Sequence, residues 1–170
     1  MRTFATLTAL ALTTATFAQQ PEQPKPGPEH EMLKKHEGTW DTVMKAGGAE
    51  FKGVTVNKME LGGLWLVGSL EIDMGGTKFQ GRSLDTYDAK SKKFVSVWAD
   101  SMGTQPMHME GTYDPKTKTL TATGDAPGPD GKPAKWKSTT TMPNDDTIEM
   151  TMHVGDGKEP MFTVTYKRKK

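Results

Sequence analysis

The chain has 170 residues, a length that suits one domain. Its 22 Lys and Arg against 21 Asp and Glu leave a formal net charge of +1, which gives no basic footprint for a nucleic-acid partner. It contains no cysteine, which excludes disulfides, thiolate metal sites, cysteine nucleophiles and a lipidated cysteine anchor.

Residues 1–18 read as a signal peptide. Arg2 supplies the leading charge, an apolar and Thr/Ala-rich run extends from Phe4 to about Thr16, and Ala18 offers a small residue for cleavage before Gln19. The run is shorter than the roughly 20 apolar residues that span a bilayer. The expectation is an exported protein, periplasmic or secreted, soluble after removal of the signal and without stable membrane insertion. The basic end Lys167-Arg168-Lys169-Lys170 reads as a solvated terminus. Residues 19–28, rich in Pro and Gln, read as an extended linker. Pro28 and Glu29 suit a helix start, Met32, Leu33 and His36 share a face, and Gly38 is a natural stop, so the pattern predicts one short helix over 29–37.

From Thr39 onward, short runs are punctuated by Gly, Pro, Asn and Asp. They predict ten strands, at 39–45, 51–61, 64–73, 77–87, 93–101, 106–113, 119–124, 134–142, 147–154 and 160–168. Breaks such as Ala46-Gly47-Gly48, Gly75-Gly76, Asp114-Pro115-Lys116 and Gly155-Asp156-Gly157 carry turn chemistry. Alternation is clean in several runs. Ile148, Met150, Met152 and Val154 oppose Thr147, Glu149, Thr151 and His153, and Phe162, Val164 and Tyr166 oppose Thr163, Thr165 and Lys167. One wet face and one apolar face mark antiparallel sheet. The fold class predicted is all-β: a ten-stranded antiparallel meander closed into a barrel over residues 29–170, with one short N-terminal helix. Closure removes open edges. A β-sandwich is the alternative, because periodicity does not separate the two.

A short helix followed by Gly38-Thr39-Trp40 resembles the start of the lipocalin and wider calycin superfamily. The resemblance implies that Trp40 closes the barrel base and that an arginine near the last strand's end packs across it. Arg168 shares parity with Phe162, Val164 and Tyr166, so the pair Trp40–Arg168 is expected as a cation over an indole face. Further elements sharpen the likeness. Pro28-Glu29-His30, Leu61-Gly62-Gly63-Leu64-Trp65-Leu66, Phe79-Gln80-Gly81, Tyr87-Asp88, Trp98-Ala99-Asp100-Ser101-Met102 and Gly111-Thr112-Tyr113-Asp114 are, in that order, similar to the bacterial family DUF1579. The resemblance covers about residues 27–168. It implies a calycin-like barrel and frequent export, and no established activity.

The chain holds twelve methionines, residues that fill irregular apolar space and suit adaptable pockets. The residues expected to line a ligand-binding barrel interior are Trp40, Trp65, Phe94, Trp98, Asp100, Met107, Met109, Met150, Met152, Phe162 and Arg168. The expected partner is a small hydrophobic or amphipathic ligand. The competing expectation is a barrel packed solid with side chains, serving as a protein-interaction module. Met107-His108-Met109 and Met150-Thr151-Met152-His153 invite a copper site, but neighbours on a strand point to opposite faces. A haem site needs an inward histidine, and His108 and His153 share parity with polar neighbours. No metal or cofactor is therefore expected. No nucleophile motif, zinc-binding motif or phosphate loop is present. An enzyme reading would use acids at the barrel mouth: Asp100 shares parity with Phe94 and Trp98, and an inward carboxylate would need Arg82 or Arg168 as partner. Asp85 and Asp88, flanking Tyr87, read more simply as turn-type acids. Residues 125–133 read as a flexible hairpin connection.

Overall fold

The computed structural model describes residues 23–170. The signal peptide expected over 1–18 lies outside the described residues. Helix α1 (Pro28–Lys34) is a two-turn element with Pro at its first position. It is shorter at its C-terminus than the sequence pattern suggests, because Lys35 to Glu37 leave the helix to feed the first strand.

Ten strands follow: β1 (Gly38–Ala46), β2 (Ala49–Glu60), β3 (Trp65–Asp73), β4 (Lys78–Asp88), β5 (Lys93–Asp100), β6 (Met107–Asp114), β7 (Thr119–Pro127), β8 (Pro133–Asn144), β9 (Thr147–Val154) and β10 (Phe162–Arg168). Each pairs antiparallel with its neighbours in sequence, and β10 pairs with β1 to close the barrel. The sandwich alternative is thereby excluded. Most strand limits lie one or two residues from the sequence-based expectation, and the largest departure is the end of β7. Strands β7 and β8 extend into the region 125–133, since Asp125 pairs with Lys135 and Pro127 with Pro133, leaving a five-residue connection at 128–132. Met161 precedes β10 and is exposed.

Strand alternation sorts the side chains. Exposed charged residues such as Asp41, Lys52, Glu71, Lys93, Glu110, Lys137 and Glu149 occupy the outer face. The inner face is closed at one end by α1, whose Leu33 is 2% exposed and packs with Leu66 and Phe94, ringed by Met32, Met59, Tyr87, Tyr113 and Leu120. A second cluster of Met109, Ala122, Trp136 and Met152 packs with Met107, Ala126, Val154 and Phe162. Burying such side chains contributes about 1.5–3 kcal/mol each, which offsets the absence of covalent staples.

The closed end is locked by one residue. Arg168 lies with its guanidinium carbon 4.1 Å from the Trp40 ring centroid. It donates through Nη1 to the Glu37 carbonyl at 2.7 Å, through Nη2 to the Lys35 carbonyl at 2.9 Å and through Nε to the Asp145 carbonyl at 3.0 Å. The Asp146 carboxylate stands 3.4 Å from Nε. Gly38, at φ +128°, leaves the space that Nη1 occupies. Trp40 is completely buried, and its Nε1 donates to the His36 carbonyl at 3.0 Å.

Candidate functional site: the barrel lumen

The register fixes which residues face inward. Starting from buried Trp40 and Thr42 on β1, the inward positions run to Thr55 and Asn57 on β2 and to Leu66, Gly68 and Leu70 on β3. They continue through Ser83, Asp85 and Tyr87 on β4 to Phe94, Ser96 and Trp98 on β5. Met107 and Met109, Trp136 and Ser138, Met150 and Met152, and Phe162, Val164 and Tyr166 complete the circuit. The lumen is therefore not uniformly apolar. Between the two apolar clusters it carries a polar set drawn from six strands: Thr42, Thr55, Asn57, Ser83, Asp85, Ser96, Ser138 and Tyr166.

Much of this set is bonded within itself. Thr42 and Thr55 hydroxyls meet at 2.7 Å, and Asn57 Nδ2 donates to the His36 carbonyl at 3.0 Å. A Cβ at Gly68 would press on Ser83 Oγ and on Asn57 Oδ1, so those two polar groups converge where the glycine leaves room. Asp85 sits across β4–β5 from Ser96 and accepts hydrogen bonds from Ser96 and Ser83. Burial pushes the Asp85 carboxyl above the ordinary carboxylate range, and the two serines offset that only in part. Tyr166, on β10, feels Asp85 across the interior. Burial first, and the Asp85 charge second, hold its phenol well above the ordinary value.

Asp85, Ser83, Ser96, Trp98, Met150 and Tyr166 are only half-buried although all six face inward from a closed wall. Two hollows lie at the ends. A cavity of about 90 Å³ sits under α1, lined by Met32, His36, Tyr113 and Leu120, and a surface hollow of about 400 Å³ lies between the β1–β2 and β9–β10 turns.

The register gives the orientation of each residue expected in the interior. Trp40, Phe94, Trp98, Asp100, Met107, Met109, Met150, Met152, Phe162 and Arg168 all occupy inward positions. Trp65 does not. It pairs with Glu60 and Thr86 in the outward set, and Leu66, 4% exposed, takes the inward place. Arg168 is spent on closing the barrel base. Asp100 has no arginine: its Oδ2 accepts the Trp98 indole N–H at 2.8 Å and its Oδ1 accepts the Met102 amide at 2.8 Å. Arg82 faces outward and donates to the Gly81 carbonyl at 2.7 Å. The mouth acid–arginine pair that an enzyme reading requires is not formed.

His108 is exposed on the outer face, and His153 shares its strand's outward parity. Among the described residues no three His, Asp or Glu side chains group as metal ligands do. Sequence reasoning did not single out Asp85, Ser83 and Ser96 as interior groups, and it placed Tyr166 on the apolar face of the last strand without giving its hydroxyl a role. The signal was present: Asp85 has the parity of Phe79 and Tyr87. It also missed His36, whose ring is enclosed at the base. Burial first, then the nearby Arg168 charge, lower its pKa to about 4.

The model of one family, described as a protein of unknown function (DUF1579), matches residues 25–168. No curated protein is significantly similar to the chain. Among solved structures, a de novo designed fluorescence-activating β-barrel is similar at 13% identity and a TM-score of 0.48, over 81% of this chain and 96% of that one.

Proposed function

The chain belongs to the DUF1579 family of proteins of unknown function, and we propose that its barrel holds a small amphipathic molecule in the lumen, with Asp85 as the polar anchor. One observation carries this reading. Asp85 is a carboxyl that points inward from a closed wall, with two serine partners. A buried acid without a cation costs stability. A barrel selected only to be solid would be better served by a leucine there. Concave sites that are mostly apolar with a few convergent polar groups are the usual form of small-molecule sites.

The outer face supports an aqueous setting. A lipid-facing barrel shows an outward apolar band, whereas this one alternates charges around its wall. No helix of the described residues is long and apolar enough to cross a membrane. The charged leader and apolar run of the first 18 residues support export to a periplasm or the exterior.

The test is mass spectrometry of the full chain expressed with its own N-terminus and purified without metal affinity. Native spectra are expected to show an excess mass that denaturation removes, and Asp85→Leu should reduce its occupancy. An Asp85→Leu protein that retains the same adduct at the same occupancy would remove Asp85 as anchor. No adduct, together with no binding of any amphiphile added to the protein, would favour a solid interaction module.

A further inference from the structure

The lumen contains a donor with nothing to give its proton to. Trp136 faces inward from β8 and is 9% exposed, and its Nε1 is buried with no hydrogen-bond partner. An indole nitrogen can only donate, and buried donors in folded proteins are nearly always satisfied. The inward position beside it on β7 is Gly124, which puts no side chain next to the indole.

Trp136 and Asp85 lie on one hydrogen-bonded row of the wall. Asp85 pairs with Ser96, Ser96 with Met109, and Gly124 with Trp136, with Met109 packed against Trp136 in one cluster. A Cβ on Gly124 would stand 3.1 Å from Met109 Cγ, which places Gly124 beside Met109 across β6–β7. The row thus runs from a carboxyl held by hydroxyls, past a flexible thioether and a bare glycine, to an unsatisfied N–H. Among the described strand residues facing inward, the one cation is Arg168, and it is consumed at the base.

This chemistry separates ligands by charge. A carboxylate placed here would meet Asp85 and find no free cation. A neutral oxygen acceptor would satisfy Trp136 without an ionic partner. Resting on the lumen-binding reading above, we propose that the ligand is an uncharged amphiphile bearing a carbonyl-type oxygen, that Trp136 Nε1 donates to that oxygen, and that Asp85 excludes carboxylates.

The experiment is calorimetric titration of the full chain at pH 7 with four probes of one chain length: 2-undecanone, methyl decanoate, decanoate and decylamine. The ketone and ester are expected to bind at least tenfold tighter than decanoate. Trp136→Phe should cost the ketone about tenfold and leave decanoate unchanged. Asp85→Asn should narrow the ketone-to-decanoate gap. Because Trp136→Phe could loosen the core, its thermal midpoint is measured alongside, and Asp85→Asn provides the independent readout. Equal binding of ketone and decanoate, or decanoate tighter, overturns the proposal while leaving a binding lumen in place. Decylamine tightest, with loss in Asp85→Asn, replaces it with a cation site. No binding of any probe removes the lumen reading and this inference together.

Discussion

Arg168 Nη1 bonds the carbonyl of Glu37, a residue 131 positions earlier, while the same guanidinium covers the Trp40 indole at 4.1 Å. One side chain therefore ties the last strand to the segment joining α1 to β1. Replacing it with methionine keeps the stem and removes the charge and three donor bonds. Stability should fall by about 2–4 kcal/mol, combining a cation–π contact with charged hydrogen bonds. Arg168→Lys should recover only part of that, since an ammonium cannot reach three carbonyls from one plane. Urea midpoints of the two variants check the order; an unchanged midpoint for Arg168→Met would refute it.

His36 sets an acid limit on the fold. Its pKa of about 4 in the folded state lies below the ordinary 6.5 of an unfolded chain, so between those values the unfolded state binds more protons. The stability it contributes is complete above pH 6.5 and is lost as pH falls towards 4, a total on the order of 3 kcal/mol. His36→Gln should flatten this part of the stability–pH curve. A curve of unchanged slope between pH 6.5 and 4 would contradict the assignment.

Asp85 acts with the opposite sign. Its folded pKa is raised, so the folded state holds the proton longer than the unfolded state does. Stability is full below the unfolded value and declines as pH rises through the folded one. Asp85→Asn should raise the thermal midpoint at neutral pH and remove that decline. A lower midpoint at pH 7 would show that the carboxyl stabilises the wall after all.

Gly81 is a packing requirement. A Cβ there would run into the Trp98 ring, which stacks on Phe79 at 6.5 Å and holds Asp100. Gly81→Ala should cost about 1–3 kcal/mol by overpacking. It should also change the Trp98 emission, which the Trp98→Phe background tests directly.

Much of the wall was legible because turn chemistry marks nearly every hairpin and because strands such as β9 alternate without interruption. The pairing of Trp40 with Arg168 followed from parity along β10 and the superfamily likeness. The failures share a cause. Leu64-Trp65-Leu66 is apolar throughout, so the run carries no phase, and only the pairing of Leu66 with Met59 and Asp85 sends Trp65 outward. In β4 the large apolar residue Leu84 stands outside, 41% exposed, while the acid beside it points in. Leu84 argues for the opposite phase, whereas Phe79 and Tyr87 carry the true one. The partners of Asp100 were equally beyond reach, because an indole two residues away satisfies the carboxylate that seemed to need an arginine.

The seam between β1 and β10 also governs how the protein is made. The strand that follows the helix meets its second neighbour only when the final residues of the chain are available, so every other hairpin can form while the barrel still has two free edges. Local pairing is fast, and the long-range closure is the step burdened by loop entropy. Until then those edges are exposed to pairing with another chain. A chain cut before Phe162 would remain in that open condition permanently, as a nine-strand sheet prone to self-association.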